Sequence, residues 1–171
     1  MFFYKIIKSI IGILHSQISP NEIAFGAALG AFIGLSPYMT LHNLIIFLLI
    51  FLLKVNVGSA FLSVGVFAVI GRIFDPLSDA IGYVLLVNIN SLTPFWTKLY
   101  NMPLVPFTKF YNTIVLGSFV IAVLLFVPIF YFSKWFINYY RLSLQAKIQN
   151  WKIMKIFKLS SIFNMYDKYQ K

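Results

Sequence analysis

Between residues 19 and 87 the chain carries four apolar runs, and none has the length of a comfortable membrane span. They form two pairs: NEIAFGAALGAFIGL with LHNLIIFLLIFLL, then VGSAFLSVGVFAVIG with PLSDAIGYVLLV. Ser36-Pro37 divides the first pair and Asp75-Pro76 the second. Each run has roughly 11 to 15 residues, whereas a spanning helix takes about 20. Short, proline-interrupted segments in corresponding positions of two halves predict broken helices around a polar site at membrane depth. Seven of the nine glycines and three of the four acidic residues also fall here, so close helix packing and a polar centre are both expected in this stretch.

Composition decides the solvent. The chain is 60% apolar and 11% charged, against about 25% charged in soluble domains. A chain of 171 residues with that balance cannot keep a mostly polar surface, so an all-α, polytopic membrane protein is expected. Its net charge of +10 is concentrated towards the C-terminus beside apolar sequence. Anionic lipid headgroups are therefore the expected partner of the basic residues, and nucleic acid is not. Cysteine is absent, which excludes disulfides, thiolate metal sites and a cysteine nucleophile.

Residues 2–18 read as an amphipathic interfacial helix, with Phe3, Ile6, Ile7, Ile10, Ile11, Leu14 and Ile18 on one face. Ser19-Pro20-Asn21-Glu22 is a helix start with Ser19 at the N-cap, Pro20 at N1 and Glu22 at N3 of a capping box. The helix after it carries Gly26, Gly30 and Gly34 at i, i+4 and i+8, a ridge that lets a second backbone approach closely. Pro37 stops or kinks this helix. His42 and Asn43 open the next run, either lining a cavity or capping a helix at the interface. Lys54 ends that run and can reach headgroups.

In the second pair Gly58, Ala60, Ser63, Gly65, Ala68 and Gly71 keep the helix slim. Pro76 pushes Asp75 out of the helical region, so Asp75 is expected to N-cap a new helix, with Asp79 one turn in. Capping does not account for Arg72. Arg72 paired with Asp75 or Asp79 would make the neutralised buried pair that tolerates charge at membrane depth. Residues 88–112, rich in proline and aromatics, read as an interfacial loop with a short helix near Phe95 to Tyr100. Residues 114–132 are a full span of 19 uncharged residues, with Pro128 near the end. Residues 133–171 form a basic amphipathic tail suited to an anionic lipid surface.

Eight basic residues against one acid from Lys134 onward put the C-terminus in the cytoplasm. Lys5 and Lys8 favour a cytoplasmic N-terminus as well, which requires an odd number of crossings before the loop at 88–112. Two complete broken pairs give an even number. Either one pair crosses and the other re-enters, or the N-terminus lies outside.

The motifs SPNEIAFGAALGAFIGLSP, KVN, DPLSDAIGY and LYNMPLVPFTKFYNTIVLGSFV resemble the small bacterial inner-membrane proteins grouped as domain of unknown function 2062. The second two resemble a branch found in bacteria with an outer membrane. The resemblance spans roughly residues 19–134 and leaves out the N-terminal helix and the basic tail. The broader family usually reads Asn-Pro where this chain has Asp75-Pro76. The resemblance implies an inner-membrane location and a larger envelope protein as partner, with no particular chemistry.

Two function classes follow. One is transport or handling of a lipid or anionic small molecule, with Arg72, Asp75, Asp79, His42 and Asn43 as the substrate-binding set. The other is a non-catalytic anchor or scaffold subunit of an envelope complex, which the glycine ridge and small size suggest; self-association into a homo-oligomer stays open. An enzyme is not expected, since HExxH, GxSxG and phosphate-loop motifs are all missing. His15 and His42 cannot build a metal site alone, and no cofactor is implied.

Overall fold

A computed structural model describes residues 18–37 and 40–144, together with Ile10 and Ile13. The expected amphipathic helix at 2–18, apart from Ile10, Ile13 and Ile18, and residues 145–171 of the basic tail lie outside the described residues, while residues 133–144 of that tail continue the last long helix and the turn after it. Among the described residues the fold is all-helical, with no strand. Its helices are α1 (Pro20–Leu35), α2 (Leu41–Leu52), α3 (Val57–Tyr83), α4 (Thr93–Tyr100) and α5 (Thr113–Tyr139).

The core is built on the first apolar run, the glycine-rich one. In α1, 11 of 16 residues are buried, and they face all round the helix. A helix apolar on every side has no solvent face to keep and goes to the centre. Helix α3 packs along α1 in the same direction. A Cβ added at Gly26 would meet Asn56 and Ser59; one at Gly30 would run into the backbone of Ala60; one at Gly34 would lie 2.8 Å from Phe67. The ridge predicted from i, i+4, i+8 spacing is thus the α1–α3 contact. Two hydroxyls stitch it: Ser59 donates to the Ile23 carbonyl at 2.9 Å and Ser63 to the Ala27 carbonyl at 2.6 Å.

Helix α5 runs antiparallel to both. Phe32 meets Phe119 near one end of α1, Phe25 meets Phe126 and Phe130 further down, and Ile23 clusters with Ile137 and Tyr140. A second close crossing joins α3 to α5, where Gly82 lies on the backbone of Thr113 and Gly117 on that of Ser78.

The two proline sites behave differently. At the first, α1 ends at Leu35, Ser36 turns extended (φ −93°, ψ 146°), and α2 folds back. Both ends of this hairpin meet at one level. Lys54 lies 3.5 Å from Glu22, and the Asn56 N–H donates to the Glu22 carbonyl at 3.0 Å. Glu22 therefore turns to Lys54, while the Ser19 hydroxyl caps α1 by accepting from the Asn21 N–H at 3.3 Å.

At the second site the expected break is absent. Pro76 sits inside a continuous 27-residue α3. The reason is backbone accounting. A break would free several N–H and C=O groups, whereas an embedded proline frees essentially the carbonyl of Arg72, four residues back. Gly71 and Gly82, on either side of Pro76, are pinned to α1 and α5. Asp75 is accordingly mid-helix and caps nothing, and the start of α3 is capped instead by Asn56, which accepts from the Ser59 N–H at 2.7 Å.

Helix α5 contains the predicted span and runs past it to Tyr139, with Pro128 also absorbed. Helices α3 and α5, extended by one widened turn each, are long and apolar enough to cross a membrane; α1 and α2 are not. The loop between them is ordered by Trp96, whose indole donates to the Leu85 carbonyl at 2.9 Å and stacks on Phe110 at 5.7 Å.

Candidate functional site

Where the hairpin reverses, α1 and α2 leave a gap beside α3 and the start of α5. The gap is a cavity of about 410 Å³. Its polar wall is Ser36 and Thr40 from the hairpin tip, Arg72 and Asp75 from α3, and Lys109 and Asn112 from the loop before α5. Gly34 and Gly71 allow the tip to lie directly on α3, since a Cβ at Gly71 would stand 3.0 Å from the Gly34 carbonyl oxygen.

Each polar group arrives by a separate local cause. Ser36 is extended because the residue before proline avoids the helical region. It is buried, 3% exposed, and its hydroxyl makes no hydrogen bond among the described residues. Such groups are uncommon and call for an explanation. Asn112 caps α5, accepting from the Val115 N–H at 3.1 Å. Lys109 adopts a left-handed conformation (φ 56°, ψ 31°), which costs a residue with a side chain about 1–2 kcal/mol. Strain of this kind persists only where the surroundings impose it. The cavity holds two cations and one carboxylate, and Pro76 leaves the Arg72 carbonyl without its helical donor.

The structure divides the residues expected to bind substrate. Arg72 and Asp75 share the cavity. Arg72 is exposed and makes no ion pair with Asp75 or Asp79, contrary to the buried pair expected from sequence. Spacing of three and seven put the three groups on one helix face, but Asp79 accepts instead from the Thr113 hydroxyl across the α3–α5 crossing. Asn43 is a hairpin residue: it is buried and its amide donates to the Pro37 carbonyl at 3.0 Å. His42 is half-buried, 3.0 Å from the Thr40 hydroxyl, and packs edge-on to Phe32 and Phe119. It lines a neighbouring apolar cavity rather than the charged one. Gly26, Gly30 and Gly34 serve packing.

Sequence reading missed Ser36, Thr40, Lys109 and Asn112. The signal available for Lys109 was its charge, since Lys98 and Lys109 are the two charged residues between 88 and 112. Among the described residues no three histidine or acidic side chains come together as a metal site would need.

The pieces that build this cavity all lie between residues 34 and 115, inside a longer match. Residues 6–144 fit the family model described as an uncharacterized protein conserved in bacteria, DUF2062. The chain belongs to the DUF2062 family. The family match reaches further than the motifs alone implied, taking in most of the N-terminal segment, all of α5 and the start of the basic tail, and leaving residues 145–171 outside. A protein of Treponema pallidum (strain Nichols), named as an uncharacterized protein, is 30% identical over 137 residues, covering 80% of this chain and 84% of that one. No solved structure matches this DUF2062 chain.

Proposed function

We propose that this protein resides in the bacterial inner membrane and binds an anionic group in the Arg72–Lys109 cavity, so as to handle or transport an anionic lipid or solute of the cell envelope. In this reading α3 and α5 cross the bilayer, the α1–α2 hairpin re-enters from the cytoplasmic face, and both chain ends are cytoplasmic. Helices of 27 residues measure about 40 Å at 1.5 Å per residue, longer than the roughly 30 Å hydrocarbon core. Those of 16 and 12 residues reach only about 24 and 18 Å. The long helices also present apolar residues outward, Val69 at 67% and Leu124 at 68% exposed, as a lipid-facing helix does and the core helix of a soluble protein does not. One re-entrant pair and one crossing satisfy the charge pattern at both ends.

The observation that carries the anion reading is the meeting of two cations and a buried, unpartnered serine hydroxyl in one cavity. Arginine and lysine seldom stand at membrane depth without a partner or a polar task. The cavity spans Ala68 to Asp75, roughly 16 to 27 Å along α3 from its start at 1.5 Å per residue, near the far leaflet. The scaffold alternative loses its main support, because the glycine ridge is consumed inside the chain. A larger envelope protein fits as the partner that delivers or receives the ligand, the basic tail lies on anionic lipid, and no catalytic step is part of the reading.

The test is a deletion strain complemented by Arg72→Gln with Lys109→Gln. Because Arg72 is exposed and forms no ion pair, the double variant is expected to accumulate and extract like the parent yet fail to complement. Full complementation would remove the anion site. Loss of accumulation would show that the two cations are structural.

A further inference from the structure

We propose that the ligand is an amphiphile, with a net-anionic phosphate headgroup held by Arg72 and Lys109 and its hydrocarbon chain in the apolar cavity beside them. This deepens the reading above and rests on it. The second cavity holds about 450 Å³, and its wall includes Trp96, Leu99, Phe110, Leu116 and Phe119. Both volumes fall within the roughly 300–1,000 Å³ of small-molecule sites.

The two cavities adjoin along a shared rim. Val115 lines both. Thr40 faces the charged side and His42 the apolar side, and the two are hydrogen-bonded. Thr108 and Lys109, adjacent in the chain, also divide between them. A soluble anion has no use for the apolar chamber, and a neutral lipid has none for two cations. A net-anionic phosphate lipid uses both. Its phosphate oxygens would accept from Arg72, Lys109 and the Ser36 hydroxyl, and Asp75 would accept from a headgroup hydroxyl or ammonium. The cavity reaches from about the bilayer centre into the far half, so a lipid of that leaflet could bring its headgroup down to it while its chain stays in the hydrocarbon.

Trp96 is a built-in reporter of the apolar chamber. The full chain carrying Trp135→Phe and Trp151→Phe would be placed in phosphatidylcholine nanodiscs. A small fraction of chain-brominated phosphatidic acid, or of chain-brominated phosphatidylcholine, would then be added as quencher. The expected result is enrichment of phosphatidic acid at Trp96 by about tenfold over phosphatidylcholine, whose choline offsets the charge of its phosphate, from two nearby cations. That excess should vanish in Arg72→Gln/Lys109→Gln and shrink in Val120→Phe, which narrows the chamber. Glycerol phosphate, titrated by calorimetry, reports the anion site alone. If it binds in an Arg72-dependent way while the two lipids quench Trp96 equally, or if the excess survives Val120→Phe undiminished, the amphiphile inference is overturned and the anion site stands. If neither glycerol phosphate nor phosphatidic acid binds, both readings fall.

Discussion

The two proline sites look alike in the chain and differ in the fold. Each follows a small or acidic polar residue and each divides a pair of apolar runs. At Pro37 the helix stops and the chain reverses; at Pro76 it continues. The difference lies in what surrounds each site. After Ser36 one freed backbone group has a side-chain partner, the Pro37 carbonyl accepting from the Asn43 amide. Across Pro76 the backbone is pinned on both sides, by Gly71 on α1 and by Ser78 and Gly82 on α5. A proline only offers a break. Whether the chain takes it depends on partners for the groups a break would expose.

The contrast can be broken most completely by topology. Asn21→Cys and Lys54→Cys, in a chain with no native cysteine, should be labelled from the same side of the membrane, and Asn101→Cys from the other. The outcome is all-or-none. Opposite labelling of residues 21 and 54 would make α1–α2 a crossing and leave the hairpin geometry without a membrane counterpart.

The next effect in size concerns the ridge that lets the hairpin sit against α3. Even a bare Cβ at Gly30 collides with the Ala60 backbone, which cannot swing aside as a side chain can. Gly30→Leu should destabilise the protein by about 3 kcal/mol or more, at the upper end of overpacking costs. Thermal unfolding in detergent would measure it. Gly65→Leu is the matched control, because nothing lies within 4 Å of a Cβ there. It should stay within about 0.5 kcal/mol of the parent. Equal losses at both positions would mean that helix propensity, and not close approach, governs the ridge.

These cases also mark what the sequence could reveal. The ridge was legible because glycine at every fourth residue puts small side chains on one helical face, whatever the partner. The first break was legible because run length and proline agreed. The second was not, since the contacts that hold α3 straight come from Leu35, Thr113 and Gly117, 31 to 39 positions away in sequence from Gly71, Gly82 and Ser78. The site was half legible for the same reason. Arg72 and Asp75 were singled out by charge in an apolar stretch. Lys109 and Asn112 belong to a loop whose place beside the hairpin tip follows from the α3–α5 crossing and from no local pattern. Asp79 was misplaced because helical spacing names candidate partners on its own helix, while Thr113 reaches it from α5.

The smallest predicted effect is a difference in sign between the two prolines. Pro37 occupies a turn whose backbone it suits, so Pro37→Ala mainly frees the unfolded chain and should cost about 0.4–1 kcal/mol. Pro76 occupies a helix interior, where the ring removes a donor. Pro76→Ala supplies an N–H to the Arg72 carbonyl without altering the α1 and α5 crossings, which depend on Gly71 and Gly82. In soluble helices an interior proline costs about 3 kcal/mol, but here the helix is held by its neighbours and has adapted to the ring. The gain from Pro76→Ala should therefore be under about 1 kcal/mol, and positive. Measured side by side in the same detergent, the two alanines should shift the unfolding temperature in opposite directions. If Pro76→Ala instead destabilises as Pro37→Ala does, α3 relies on the proline to set its course between α1 and α5, and the two sites are breaks of one kind. A gain in stability accompanied by weaker binding at the Arg72–Lys109 cavity would sharpen the contrast further: it would assign the free Arg72 carbonyl to the ligand, and with it the reason a costly residue stands in the middle of a helix.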